Sequence, residues 1–166
     1  MVTTNSLQIG PEQAALIARP VSANVATRDA ARRPHLTRAI GFRLSADRRR
    51  VTVFLPAAAS ACVLDDVRAN GQIAVVFSEP ATDRTVQLKG SDASIAPVEA
   101  DDLEHLRAYA EAFADAIGEL GFARQVAQTV LHAPTTDVIA VQFTPCEGFD
   151  QTPGPGAGQP LEGTKA

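Results

Sequence analysis

The sequence has no tryptophan, one tyrosine, one methionine and two cysteines among 166 residues. Cys62 and Cys146 lie far apart and in no metal-ligand spacing. That pattern argues against a disulfide framework or a zinc ribbon and points to two unpaired thiols packed in the structure. No apolar run approaches the roughly 18–20 residues that span a bilayer. The N-terminal stretch MVTTNSLQIGPEQ lacks a basic segment followed by an apolar one, so no secretory signal is expected. The expectation is a cytoplasmic protein with no membrane span. Basic residues do not dominate: 15 against 19 acidic ones give a net charge of −4, which counts against nucleic-acid binding. The histidines, His35, His105 and His132, are scattered, with no pair four apart on one helix. A zinc-hydrolase helix is therefore missing, as are a P-loop and a Gly-x-Ser-x-Gly elbow, and no metal site is expected. Each of these residues also has a plain structural reading. His132 suits the end of a helix as well as a haem, and Cys62 suits a buried position on a short helix as well as a reactive thiol.

What is present is an ordinary globular composition, 45% hydrophobic and 20% charged, long enough for one domain with a tail. Charge is unevenly spread. Residues 28–50 hold eight arginines against Asp29 and Asp47, a net of +6. Residues 99–120 hold seven acids against Arg107, a net of −6. The first segment reads either as a solvated face or as one that meets an anion such as a phosphate.

Pro11 suits a first helical position, and Pro20 stops the helix that follows it. Strands are expected over 21–27, 35–44, 51–55, 73–77, 84–95 and 138–143, from their β-branched content and alternation. Val86, Leu88 and Gly90 fall on one face of the fifth strand, with Thr85, Gln87 and Lys89 on the other. Gly90 marks a bulge or a close backbone approach. Ser60 can cap a helix running to Asn70-Gly71. Asp101 or Asp102 caps a longer helix to about residue 120, whose apolar stripe includes Leu103, Leu106, Phe113 and Ile117. A second short helix covers 122–131. Residues 150–166, rich in proline and glycine, form a tail with little regular structure that the fold does not require. The organisation is thus a domain over 1–149 and a tail over 150–166. Six strands joined mainly by short turns predict a mainly β protein, a small antiparallel barrel with peripheral helices.

Several pieces then form a familiar series: Val25-Ala26-Thr27-Arg28-Asp29, Arg33-Pro34-His35, Val51-Thr52-Val53-Phe54-Leu55, the helix over 60–70, Ile73 to Pro80, and Arg84-Thr85-Val86-Gln87-Leu88-Lys89-Gly90. This series resembles the FMN-binding split β-barrel family typified by the pyridoxamine 5′-phosphate oxidases. The resemblance implies a six-stranded antiparallel split barrel, a homodimer and an FMN at the subunit interface. It implies that Arg38 and Arg43 meet the flavin phosphate, helped by Ser60 at its helix start. Phe54 and Leu55 would touch the flavin, and Thr85 and Gln87 would reach the isoalloxazine ring. Each has a structural alternative: Arg38 and Gln87 as solvent-facing strand residues, Phe54 as core, Ser60 as a helix cap.

The chain also departs from that family. Ala58-Ala59-Ser60-Ala61 stands where flavin-binding members carry a serine followed by Arg and Lys. Gln142-Phe143-Thr144-Pro145 replaces the Arg-x-His of true pyridoxamine phosphate oxidases, which argues against vitamin B6 as substrate. The implied function is a small flavin-dependent oxidoreductase using FMN, or a related deazaflavin, on another small molecule. The alternative is a non-catalytic barrel, a binding or sensor protein that has lost its flavin.

Overall fold

The computed structural model describes residues 6–162. Residues 1–5 and 163–166, the outer ends of the two segments drawn from the sequence, lie outside them. Helix α1 (Pro11–Ile17) leads to β1 (Ser22–Arg28), β2 (Pro34–Arg38), β3 (Gly41–Leu44) and β4 (Val51–Pro56). A short 3-10 turn, Ala58–Ser60, opens α2 (Ala61–Asn70), and β5 (Ile73–Ser78), β6 (Thr85–Gly90) and β7 (Ser94–Ala96) follow. Helices α3 (Ala100–Glu119) and α4 (Arg124–Val130) precede β8 (Val138–Phe143) and β9 (Glu147–Asp150).

The strands form two antiparallel sheets, ordered β2-β1-β5-β6-β9 and β3-β4-β8-β7. The protein is mainly β with peripheral helices, as the alternation predicts, but the described strands number nine where six continuous ones were expected. Two of the expected strands bend. The stretch over 35–44 breaks at Ala39-Ile40, where both side chains are buried and the alternation cannot continue. There the Ala39 amide donates to Ala23 and the Ile40 amide to Phe54, so the chain leaves one sheet and joins the other in a single step. The stretch over 84–95 breaks likewise at Ser91–Ala93, where the Ala93 amide donates to Gly71. Strand β9 is the third difference. It follows Pro145 and contains a glycine, which hid it in the sequence.

The core fills the space between the sheets with Val25, Val53, Leu55, Val75, Phe77 and Leu88, none of them accessible. Helix α3 packs Tyr109 and Phe113 onto it, and the Phe42 ring meets Phe77 at 5.0 Å and Tyr109 at 5.1 Å edge to face. The cap of α3 differs from expectation. Glu99 is the N-cap, and Asp102 reaches back to accept its amide at 2.8 Å. Gly71 ends α2 in the left-handed region, φ +66°, as the Asn-Gly pair predicts. Gly90 is a close approach: a Cβ there would stand 2.6 Å from Phe143 Cδ2 and 3.0 Å from the Thr144 carbonyl. After β9 the chain turns back along it, bridging Pro160 to Phe149 and donating from the Leu161 amide to Gly148 at 2.8 Å.

Candidate functional site

Alternation along a strand gives a sheet two faces. One face of the five-stranded sheet carries Val25, Val75 and Leu88 into the core. The other remains half-buried or exposed, and the pairing register fixes which side chains meet on it. Arg38 of β2 stands opposite Asn24 of β1, Asn24 opposite Val76 of β5, and Val76 opposite Gln87 of β6. Arg38 and Gln87 therefore lie in one row, three strand spacings or about 14 Å apart, and Phe149 of β9 continues that row beyond Gln87. In the adjacent row Ser22 faces Ser78 and Ser78 faces Thr85. The Thr85 hydroxyl donates to Ser78 Oγ at 2.9 Å, and Arg38 Nη1 donates to Ser22 Oγ at 2.8 Å. Gln151, just past β9, donates its side-chain amide to Gln87 Oε1 at 3.4 Å.

Three of the residues proposed from the sequence, Arg38, Thr85 and Gln87, thus share one surface. Among the described residues no carboxylate lies within 4.0 Å of Arg38, so its charge is answered only by a neutral hydroxyl. Its field reaches Tyr109. Burial holds that phenol well above its ordinary pKa, and the nearby Arg38 charge pulls it part of the way back.

The other four lie elsewhere. Arg43 is on β3, in the second sheet, with Nη1 2.9 Å from Asp102 Oδ1 and 3.7 Å from Glu99 Oε2. It ties β3 to the start of α3. Phe54 and Leu55 are wholly inaccessible. Phe54 packs with Ile40, Leu106 and Ala140, and Leu55 belongs to the main core. Ser60 stands at the N-cap of α2 but makes no side-chain cap. Its hydroxyl shares a hydrogen bond with Thr37 at 2.9 Å, and the residue is 1% exposed. Cys62, expected to be buried, is exposed; it is a free thiol on the outside of α2, and Cys146 is free and half-buried.

The sequence also missed a buried polar network. Asp66 of α2 takes the Thr27 hydroxyl and sits 2.7 Å from His35 Nδ1, with both partners on the same carboxylate oxygen. This pins edge strand β2 to α2 and so sets the position of Arg38, three residues on. The signal was the polar pair Thr27 and His35, whose cross-strand register only the sheet reveals.

Comparison with known proteins supports the fold. No family model matches the chain, and no curated protein does. Solved structures do. HupZ of Group A Streptococcus is 21% identical over 90% of this chain and 99% of its own, with a TM-score of 0.55. A candidate pyridoxamine 5′-phosphate oxidase of Lactobacillus delbrueckii is 15% identical over 89% and 97%, TM-score 0.52. HutZ, the heme storage protein of Vibrio cholerae, is 14% identical over 87% and 95%, TM-score 0.50. The chain has the fold of the pyridoxamine 5′-phosphate oxidase-like proteins. No helix among the described residues is long and apolar enough to cross a membrane.

Proposed function

We propose that the outer face of the five-stranded sheet binds FMN and that the protein is a small flavin-dependent oxidoreductase acting on a substrate other than vitamin B6. The row from Arg38 to Gln87 carries this reading. It offers an uncompensated guanidinium on β2 and an amide on β6, with Asn24 and Val76 between them and the hydroxyls of Ser22, Ser78 and Thr85 in the row alongside. A phosphate needs a cation, and a protein of net charge −4 has to supply it locally. Arg38 does so with a planar fork that is not spent on a carboxylate. Gln87 and Thr85 would orient the ring by hydrogen bonds. Arg43, engaged by Asp102 and Glu99, has no part in the phosphate contact. When bound, the flavin supplies the two-electron redox chemistry, and the protein contributes position and electrostatics.

A second copy of the chain would cover the face. Leu36, on the same face and 72% exposed, gives such a contact an apolar anchor. The absorption spectrum of the purified protein, before and after addition of FMN, tests the reading. Flavin bands and quenched flavin fluorescence are expected. Arg38→Ala removes one charge-assisted hydrogen bond, roughly 1.5–3 kcal/mol, and so weakens FMN about ten- to a hundredfold. Equal affinities would remove Arg38 from the site. Failure of the wild type to bind FMN would leave the non-catalytic alternative, and a Soret band would replace flavin by haem.

A further inference from the structure

The row next to Arg38 and Gln87 is built differently. Ala26 of β1 faces Ala74 of β5, and Ala74 faces Lys89 of β6. Two methyl groups in register leave the middle of the sheet low, while longer side chains stand around it. The result is a cavity of about 440 Å³ that opens beside the proposed flavin row, with Ala26 and Ala74 in its lining. Its volume falls in the range that holds small organic ligands, roughly 300–1,000 Å³.

The charges in its walls are unequal. Arg28, two residues beyond Ala26 on the same face, lines one side, and no ion pair or hydrogen bond engages its guanidinium among the described residues. Lys89 lines the opposite side. Its ammonium is held over the Phe149 ring at 4.6 Å and lies 3.8 Å from Glu147 Oε2, which also lines the cavity. Lys89 is thus a fixed charge, half-answered by Glu147, whereas Arg28 is free to take a partner. Two cations against one carboxylate leave a single positive charge.

We propose that this cavity is a subsite for a small monoanionic carboxylate, with an apolar or aromatic body lying on the Ala26–Ala74 floor and its carboxylate on Arg28. A single net positive charge suits a monoanion better than a phosphate dianion, whose second charge Glu147 would oppose. The guanidinium fork matches a carboxylate with two parallel hydrogen bonds. Lys89 lies two residues from Gln87 on the same face, about 7 Å along the strand, so the occupant would lie beside the flavin ring. Its assignment as the substrate site rests on the flavin reading, whereas the anion site stands on its own geometry.

The test uses the full-length protein and three probes of similar size: nicotinate, a monoanion; nicotinamide, its neutral counterpart; and phenyl phosphate, a dianion at alkaline pH. Amide chemical shifts of Ala26, Ala74 and Lys89 report occupancy without flavin, and the flavin absorption bands of the FMN-loaded protein report nearness to the ring. Nicotinate is expected to shift those amides, phenyl phosphate less and nicotinamide least. Arg28→Gln should weaken nicotinate by about tenfold or more while leaving other amides in place. Lys89→Gln should weaken it less. Equal response to nicotinate and nicotinamide, strongest binding by phenyl phosphate, or an unchanged affinity in Arg28→Gln would each overturn the proposal. Amide shifts in a protein that binds no FMN would keep the carboxylate site and remove the flavin reading instead.

Discussion

The guanidinium of Arg43 lies 2.9 Å from the carboxylate of Asp102, a side chain only 2% exposed. The same carboxylate accepts the Glu99 amide that opens α3. Asp102 thereby caps the long helix and joins it to strand β3, although cap and strand are far apart in the sequence. Asp102→Ala loses both contacts and is expected to cost about 2.5–4 kcal/mol, from a lost cap of about 1 and a charged hydrogen bond of about 1.5–3. Arg43→Ala leaves a buried carboxylate without its cation and should also destabilise, measured by urea unfolding. Its FMN affinity should match the wild type within about twofold once folded fractions are equalised. A loss as large as that of Arg38→Ala would return Arg43 to the phosphate site.

Truncation after Phe149 should loosen the fold, contrary to the reading of residues 150–166 as dispensable. The segment pairs Asp150 with Gln159 and Leu161 with Gly148, and it satisfies Thr85 through Gln151 and Thr152. Leu161 also packs against the core. Four or so hydrogen bonds at about 1 kcal/mol each, partly replaced by water, predict a loss of roughly 2–4 kcal/mol with the two sheets retained. An unchanged urea midpoint would show that the segment lies on the surface without contributing.

Tyr109 gives a pH dependence whose sign follows from its burial. Its hydroxyl donates to the Val21 carbonyl at 2.7 Å, and burial holds its pKa above the ordinary value of 10.0. In the unfolded chain the phenol ionises near 10 while the folded protein keeps its proton. Stability is therefore full below about pH 10 and falls as pH rises, by up to about 1.4 kcal/mol per pH unit. Cys146, raised by burial as well, adds a smaller fall that begins lower. Tyr109→Phe should start about 1–3 kcal/mol less stable, since the Val21 carbonyl loses its donor, and then show a shallower decline. Parallel slopes for the two proteins, in urea titrations from about pH 9 to about pH 11, would contradict this.

A dimer is expected in solution, formed through the outer face of the five-stranded sheet. Replacing the exposed Leu36 with Asp places a charge on that face and should shift sedimentation from a two-chain species towards a single 17.4 kDa one. A wild type that sediments as a single chain at micromolar concentration would exclude the dimer.

Much of the architecture is legible from local rules. The two-residue period of β6 separates Val86 and Leu88 from Thr85, Gln87 and Lys89, and the burial pattern follows it residue by residue. Asn70-Gly71 stops α2, and the three-and-four spacing of Leu106, Phe113 and Ile117 gives the buried stripe of α3. These signals are local because backbone sterics and one face's contact with water act over a few residues. The same rules could not separate Phe54 and Leu55 from ring contacts, because an apolar side chain in a strand suits a core and a ligand equally well.

What the sequence determined by itself is the kind and order of the elements as far as β8, and which side chains of each of those strands share a face, while β9 stayed hidden behind Pro145 and Gly148. Only the tertiary structure decided where the chain crosses between sheets, at Ala39-Ile40 and at Ser91–Ala93, because two neighbours on the same side of the surface, buried at Ala39-Ile40 and exposed at Ser91-Asp92, break the alternation without saying which sheet the chain joins next. It also decided the partners of each charge. Arg38 and Arg43 are two arginines of one basic segment, yet one faces an open sheet beside Ser22 and the other a buried aspartate. Cross-strand register and helix docking join residues far apart in the chain, and no local pattern encodes those contacts.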